Sequence, residues 1–254
     1  MIAIYQLTKR LLENGQILKN YFQLHSNSKY SKMESFEKTP LNKVVRAPKR
    51  AHYDKALVNE ILDSHFICHV PYVYEGTSIV IPTGYGRKGD TIFLHGSIKN
   101  RMMRSLLDQE KVSITVTHID GLVLARSVFH HSVNYRSVAV FGTPRLIEDD
   151  ASKMEALELI TDNFIAGRWA EARIPNQKEL DGTLVIAIDI TNASVKIRDE
   201  GANDEKADMD LDVWAGVLEL ETHPGKVVKN ADCKEGLETP ESVKNFKFVN
   251  HGVQ

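Results

Sequence analysis

Residues 116–142, with the sequence VTHIDGLVLARSVFHHSVNYRSVAVFG, determine how this chain is interpreted. The two flanks are apolar and rich in β-branched residues, which is typical of buried strands. The middle, HHSVNYRS at residues 130–137, instead concentrates hydrogen-bonding side chains. Ordering such a polar connection costs free energy unless its groups find partners. The pattern therefore predicts two strands joined by a polar loop that holds an anionic partner.

Similar β-rich runs precede and follow this stretch. A hairpin is predicted at Glu75-Gly76, and a second turn at Asp120-Gly121, because such dipeptides favour tight turns. The predicted strands are FICHVPYVY, GTSIVIPTGY, TIFLH, KVSITVTHI, GLVLARSVF, SVAVFGTPRLI, TLVIAIDI, SVKIR and DVWAGVLEL. Helical spacing appears in YDKALVNEILDSH, IKNRMMRSLLDQ and DASKMEALELITDNFIAGRW. Asp54 suits the N-cap of the first helix, and Asp149 and Asp150 suit the start of the last.

Many antiparallel strands with few helices predict a mainly β (α+β) fold, a β-barrel with helices at its rims. The strands do not alternate with helices as a doubly wound parallel sheet requires. The chain also lacks the glycine-rich phosphate loops of P-loop and dinucleotide-binding proteins. These two common nucleotide-binding folds are therefore excluded.

Composition narrows the class of protein further. The 254 residues are 42% hydrophobic and 26% charged, with a formal net charge of −2. This balance does not favour nucleic acid or a membrane surface as a partner. The cysteines, Cys68 and Cys233, have no metal-ligand spacing and suggest a buried thiol and a tail thiol in a reducing compartment. No apolar run is long enough to span a bilayer, so a soluble, cytoplasmic protein is expected.

The chain divides into three parts by composition. Residues 1–43 form a basic N-terminal extension, residues 44–228 the main domain, and residues 229–254 a C-terminal tail. The first 32 residues are compatible with an organellar presequence, with a solvated extension, or with a start site upstream of the true initiator Met33. The polar segment 199–212 is predicted to be a mobile linker before the last strand.

A first candidate site follows the third predicted strand, in FLHGSIKNRMMR. Gly96 allows close backbone approach, Ser97 offers a hydroxyl, and Lys99, Arg101 and Arg104 supply positive charge near a helix N-terminus. Backbone amides, the helix dipole and basic side chains together can bind phosphate. A capped helix with a solvated basic face explains the same residues equally well.

A second candidate lies in the opening stretch. Strand alternation sends Arg136 to one face and Tyr135 and Ser137 to the other. The arginine can fork onto phosphate oxygens, with Ser137 as a second donor. A loop network that merely supports a hairpin is the alternative. The adjacent His130-His131 pair lacks a third ligand, so no metal site is predicted.

Two tryptophans mark the remaining candidates. Trp169 lies in GRWAEARIP and either covers a planar ring, closes a subunit interface or plugs a helix end. Trp214 in VWAGVLEL precedes Ala215 and Gly216, small residues that let a ring or another chain lie against the backbone. Core packing alone would also explain Trp214.

Taken in order, THIDGLVLARSVFHHSVNYRSVAVFG, GRW, SVKIR and DVWAGVLEL resemble the pyridoxamine 5′-phosphate oxidase-related flavin-nucleotide-binding proteins, a group that includes nitroimidazole-resistance-type proteins. The resemblance covers residues 44–228. It implies a six-stranded antiparallel split β-barrel of the FMN-binding type, with flanking helices, that forms a homodimer and holds FMN between its subunits.

The resemblance also implies roles for particular residues. Arg101 corresponds to a phosphate-binding position, and Arg136 with Ser137 to a second, although the oxidases have glutamine where this chain has Ser137. The strand IVIPTGYG runs along the flavin ring, and His95 lies near the flavin as the candidate catalytic residue. The predicted flavin contacts are Ile81, Pro82, Thr83, His95, Gly96, Ser97, Lys99, Arg101, Tyr135, Arg136, Ser137 and Trp214.

The resulting functional hypothesis is an FMN-dependent oxidoreductase acting on a small organic molecule. Tyr85 and Trp214 are expected to shape the substrate side. The oxidases' arginine-rich C-terminal signature is missing from DVWAGVLEL, which argues against pyridoxamine phosphate as the substrate. The alternatives are a flavin- or haem-binding carrier or sensor without turnover, and a scaffold without a cofactor.

Overall fold

Eight strands and six helices lie within residues 34–248, the part of the chain that the structure, a computed structural model, describes. The predictions for residues 1–32 and for a start at Met33 lie outside this part. The elements are β1 (Ala51–His52), α1 (Lys55–Asp63), β2 (Ile67–Tyr74), β3 (Thr77–Lys88), β4 (Thr91–Ser97), α2 (Arg101–Leu107), β5 (Val112–Leu124), β6 (Ser132–Leu146), α3 (Asp150–Phe164), α4 (Arg168–Glu171), α5 (Gln177–Asp181), β7 (Thr183–Arg198), β8 (Gly216–Glu219) and α6 (Glu241–Lys244).

Strands β2 to β7 pair antiparallel in a ring, in the order β2-β3-β4-β7-β6-β5 and back to β2. The ring closes between β2 and β5 through a single pair, His69 opposite Thr115. Strand β3 changes partner along its length, because residues 77–84 pair with β2 and residues 85–88 with β4. The six-stranded antiparallel split barrel predicted from the sequence is confirmed.

The barrel interior is filled by alternate residues of every strand in the ring. Val70, Ile92, Val138 and Val195 are fully buried there. Helices α1 and α2 close the interior with Ile61, Leu62, Met103 and Leu106. We call this side of each strand the inner face and the opposite side the outer face. Burial of so much apolar side-chain surface stabilises the barrel.

Helix α3 covers the outer face of β3, β4 and β7, where a second apolar cluster includes Leu157 and Val185. A Cβ atom on Gly86 would lie 2.7 Å from the backbone of α3, so a side chain at this position would prevent the contact. The helix begins as predicted, because the Asp149 side chain accepts a hydrogen bond from the Ser152 amide.

The hairpin at Glu75-Gly76 is confirmed, with φ of 48° and 75° at its two residues. The turn predicted at Asp120-Gly121 is wrong, because β5 continues through it and keeps its pairing with β6 across a register shift between Ile119 and Gly121. The polar loop is also shorter than predicted, since Ser132 already belongs to β6. TLVIAIDI and SVKIR likewise form one strand, β7. In each case the long neighbouring strand allows pairing to continue where local sequence suggests a break.

Segments outside the ring contact the barrel. Phe36 lies in the core, and the Asn42 side chain donates to the Ala193 carbonyl at 3.0 Å, so described residues of the predicted N-terminal extension pack against β7. The segment 199–212, predicted to be a mobile linker, contacts the loop after β5, because Asp204 accepts two hydrogen bonds from Arg126.

Cys68 is buried and Cys233 exposed, and both are free thiols. No helix within residues 34–248 is long and apolar enough to cross a membrane.

Candidate functional site

Strands β3 and β4 separate along part of their length, and we call the gap between them the split. The last β3–β4 pair joins Tyr85 and Leu94. Beyond it β3 pairs only with β2, and β4 pairs only with β7, which it contacts along its whole length. One edge of residues 77–84 therefore faces the split, and no strand among the described residues pairs with it. Backbone amides and carbonyls along such an edge need hydrogen-bond partners.

Residues predicted from two separate stretches of sequence border the split. Ile81 lies opposite the buried Val70 in β2, and Thr83 contacts Met102 of α2 with its hydroxyl 3.9 Å from the sulfur. Pro82 lies opposite His69, on the outer face. Thr83 and Arg101 therefore connect β3 and β2 to the start of α2, and His95, Gly96, Ser97 and Lys99 lie on the chain between Leu94 and this helix.

Arg101 is held at the split by two tyrosines. Its guanidinium carbon lies 4.0 Å from the centre of the Tyr74 ring, and its Nη2 lies 3.4 Å from the Tyr72 hydroxyl. The hydrogen bond to Tyr72 raises the pKa of Arg101, so the guanidinium stays charged. Tyr72 and Tyr74 were not identified from the sequence, although they share one face of β2.

The positive charge of Lys99 and Arg101 is uncompensated. Neither residue forms an ion pair with a carboxylate within the described part of the chain. Helix α2 has seven residues, and Asn100 already caps it by accepting from the Met103 amide at 3.2 Å. The charge at the split therefore comes from these two side chains rather than from the helix terminus.

His95 lies near the end of β4, on the face opposite the barrel interior. Partial burial of its imidazole lowers its pKa below 6.5. At neutral pH the ring is therefore mainly uncharged, with one nitrogen that donates a hydrogen bond and one that accepts. Tyr85, considered for the substrate side, is instead fully buried, and its hydroxyl donates to the Leu62 carbonyl.

Arg136 lies far from Arg101 of its own chain. It is 7% exposed on the inner face of β6, opposite His118, and its guanidinium makes two hydrogen bonds to Asp120. His118 lies six residues along β5 from the level of Tyr72, which is about 20 Å at the rise of an extended strand. The structure therefore does not bring Arg101 and Arg136 together within one chain.

The other predicted residues are also separated from the split. Tyr135 and Ser137 lie on the outer face, since Arg136 and Val138 face inward. Trp214 is 67% exposed and precedes β8, which begins opposite Leu124. Leu124 is nine residues along β5 from the β2 pairing point, roughly 30 Å away. Strand pairing therefore does not bring these residues to the split of their own chain.

Sequence comparison identifies the class of protein that has this split barrel. The profile described as Pyridoxamine 5′-phosphate oxidase matches residues 54–197, more than half of the chain. The chain belongs to this family, and its fold is the split barrel of flavin-binding relatives. The resemblance predicted from the sequence motifs is confirmed.

Two solved structures are similar to this chain over most of its length. The flavocytochrome Anf3 from Azotobacter vinelandii is 32% identical, with a TM-score of 0.78 over 83% of this chain and 98% of its own. The FAD and haem binding protein from Mycobacterium smegmatis is 36% identical, with a TM-score of 0.72 over 77% of this chain and 96% of its own. No curated protein matches the chain.

Proposed function

We propose that the chain binds FMN in the split and acts as an FMN-dependent oxidoreductase on a small organic substrate. The observation that carries this proposal is the pair of uncompensated cations, Lys99 and Arg101, beside an unpaired strand edge. A phosphate-bearing ligand with a planar hydrogen-bonding ring satisfies both features at once.

The residues at the split fit a flavin nucleotide. Lys99 and Arg101 would hold the phosphate, because charge-assisted hydrogen bonds to phosphate are strong and arginine can make two of them. The free backbone groups of residues 77–84 would pair with polar atoms of the ring, and Ile79 and Ile81 offer apolar contacts. When bound, the flavin supplies the redox chemistry, while the protein provides orientation and electrostatics.

His95 is the residue proposed to act on the reacting molecule. Its neutral imidazole can donate or hold a proton near neutral pH without bringing a fixed charge to the split. Replacing it with glutamine should therefore reduce turnover more than it reduces flavin affinity. Equal turnover by His95→Gln and the unaltered protein would remove His95 from the mechanism.

We propose a homodimer as the functional unit. Tyr135, Ser137 and Trp214 lie too far from the split of their own chain to contact the same ligand. A second copy is the direct way for these residues to complete the site, as expected for a flavin bound between subunits. Monomeric protein that retains full flavin affinity would contradict this arrangement.

A haem- or flavin-binding carrier or sensor is the second candidate. It is supported by the two relatives described as a flavocytochrome and as an FAD and haem binding protein. The relative from Mycobacterium smegmatis, which is described as binding FAD, makes FAD the natural competitor of FMN.

An absorbance spectrum of the purified protein, followed by identification of the released cofactor, tests these alternatives. Flavin bands together with FMN in the extract support the proposal, FAD corrects the cofactor, and a Soret band favours the haem-binding candidate. Reduction by NADH or NADPH without oxygen, then reoxidation by a quinone or nitroaromatic, separates the enzyme from the carrier. Absence of any chromophore after reconstitution would refute cofactor binding.

Arg101→Ala tests the location of the phosphate. Loss of one charged contact should weaken FMN binding about tenfold or more. Arg145→Ala is a matched control, since it removes an exposed arginine that is paired with Asp189, which lies opposite Thr91 at the start of β4 rather than at the split. Unchanged FMN affinity in Arg101→Ala would show that the phosphate lies elsewhere.

A further inference from the structure

Residues 240–248, which we call the C-terminal segment, are attached to the rest of the chain at two points. The Ser242 amide donates to the Glu171 carboxylate of α4 at 3.1 Å, and the Ser242 hydroxyl donates to the same carboxylate. At the other end of the segment, the centre of the Phe248 ring lies 6.0 Å from that of Phe66. Among these described residues, only Ser242 is buried. A small number of side-chain contacts therefore holds the segment in place.

The stretch that leads from β8 to the C-terminal segment adds little to this attachment. Every residue from 220 to 238 is exposed. The Lys229 ammonium donates to the carbonyls of Lys234 and Leu237, which belong to the same stretch. A segment with few buried contacts and a solvated connection opens at low cost in free energy. The C-terminal segment can therefore detach while the barrel stays folded.

The C-terminal segment covers open space rather than a packed core. A cavity of about 550 Å³ lies between it and the ends of α1 and α3, and its walls include Phe164, Ser242 and Phe246. A smaller pocket of about 50 Å³ has walls that include His65, Phe164 and Phe248. Cavities of about 300–1,000 Å³ are typical of small-molecule sites. Detachment of the segment removes one wall and opens the larger cavity to a ligand.

Phe164 is a wall of both this cavity and the split. Its ring packs directly on Gly84, because a Cβ atom added to Gly84 would collide with the ring. The β3–β4 pairing ends with Tyr85 opposite Leu94. One residue further, the same register places Gly84 across the split from His95. Both lie on the outer face, since Tyr85 and Leu94 are buried inside the barrel. The cavity therefore adjoins the part of the split nearest His95.

The ring of Phe66 connects Phe164 to the C-terminal segment. Its centre lies 5.5 Å from the centre of the Phe164 ring and 6.0 Å from that of Phe248. The end of α3 is fixed separately, because the Asn163 side chain donates to the Tyr85 carbonyl at 2.8 Å. Departure of the segment therefore frees the Phe66 and Phe164 rings to turn while the α3 backbone stays in place.

We propose that the C-terminal segment is a lid, and that its release admits a planar apolar substrate through the cavity to the His95 end of the split. This inference rests on the proposed function, since it treats the split as the place where flavin and substrate meet. Phe66, Phe164 and Phe246 line the route. Aromatic rings favour a planar partner, because they stack on one another at centroid separations of about 4.5–7 Å.

The test weakens each attachment point of the lid in the full chain. Ser242→Ala removes the hydroxyl that donates to Glu171, and Phe248→Ala removes the aromatic contact, so the result does not depend on one substitution. Thr191→Val is the matched control, since it removes an exposed hydroxyl that donates to the Phe141 carbonyl and lines neither the cavity nor the pocket.

Two quantities are measured for each variant. The first is the rate at which diethyl pyrocarbonate labels His65 in cofactor-free protein at pH 7, with the exposed His223 as an internal reference. The second is the second-order rate constant with which menadione reoxidises photoreduced, FMN-loaded protein. The first quantity reports opening of the lid, and the second reports entry of a planar molecule to the flavin.

Ser242→Ala and Phe248→Ala should label His65 several-fold faster than Thr191→Val and should raise the menadione rate constant by a similar factor. Both quantities depend on the fraction of molecules in which the lid is open. Equal labelling of His65 in all three variants overturns the lid, and faster labelling with an unchanged menadione rate constant overturns the route to the split. Failure to bind FMN refutes the proposed function instead, and the labelling of His65 then still decides whether the segment opens the cavity.

Discussion

Arg136 and Asp120 form a two-point ion pair across β5 and β6, with Nε 3.1 Å from Oδ2 and Nη2 2.8 Å from Oδ1. The arginine side chain is 9% exposed and the aspartate side chain 30%. A guanidinium that is buried and already bound to a carboxylate has little capacity left for a phosphate. The pair therefore indicates that Arg136 stabilises the barrel.

This relationship yields the first prediction. Arg136→Ala should lower the free energy of unfolding by about 1.5–3 kcal/mol, because it leaves the partly buried Asp120 without its charged partner. Urea denaturation measures this change, and Arg101→Ala should stay within about 0.5 kcal/mol of the unaltered protein. Adding Asp120→Ala to this variant should recover part of the lost free energy of unfolding. A fully stable Arg136→Ala protein that has lost its flavin would instead return Arg136 to the phosphate site.

Gly86 should tolerate no side chain. A Cβ atom there would lie 2.7 Å from backbone atoms of Leu159 and Ile160, which cannot rotate away. Gly86→Ala is expected to destabilise the fold by about 1–3 kcal/mol through overpacking of α3 against β3. Gly201→Ala is the control, since no atom lies within 4 Å of its added Cβ. Equal denaturation midpoints for both variants would contradict this close contact.

Acid should destabilise the fold through His118. Two causes lower the pKa of this histidine from 6.5 to about 4: burial is the larger, and the positive charge of Arg136 is the second. The Nε2 atom of His118 lies 2.9 Å from the Ser64 hydroxyl. Between these pH values the unfolded chain binds a proton that the folded chain does not, so stability falls as pH drops from 6.5 to about 4. Because the ring is partly solvated, we expect a loss on the order of 1–2 kcal/mol.

Denaturation midpoints at pH 7, 5.5 and 4.5 measure this loss. His118→Gln lacks the titrating group and should have a flatter profile over the same range. His65 lies 5.1 Å away by ring centres and its pKa is also lowered, so a residual slope is expected. Identical profiles for the variant and the unaltered protein would exclude His118 as a source of acid sensitivity.

Loss of the Ser242 hydroxyl should release the C-terminal segment from its contact with Glu171. Ser242 is buried, and its backbone amide and its hydroxyl both donate to the Glu171 carboxylate. These hydrogen bonds lower the pKa of Glu171, and the following Phe248 ring packs 6.0 Å from Phe66. Ser242→Ala should make cleavage after Lys244 and Lys247 by trypsin several-fold faster, because opening of the segment costs less.

Cleavage is followed by mass spectrometry under native conditions. Ser105→Ala is a suitable control, since it removes a hydroxyl that donates to the Val73 carbonyl away from the C-terminal segment. Equal cleavage rates in the two variants would mean that the aromatic contacts alone retain the segment.

Features that depend on local chemistry were predictable from the sequence alone. Alternating β-branched residues predicted the strands, Glu75-Gly76 predicted the hairpin, and Asp149 predicted the start of α3, because each signal acts within a few residues. The polar and basic cluster from His95 to Arg101 was predicted from the same kind of local signal. The residues of this cluster are adjacent in sequence, so they lie close together whatever the rest of the fold is.

Features that depend on partners distant in sequence emerge only in the folded barrel. Asp120-Gly121 is compatible with a turn, yet β6 pairs along both sides of it and keeps β5 continuous. Arg136 resembles a free phosphate ligand until folding brings Asp120 to its guanidinium. Whether a strand continues, and whether a charge is already paired, depends on residues that only the closed barrel brings together.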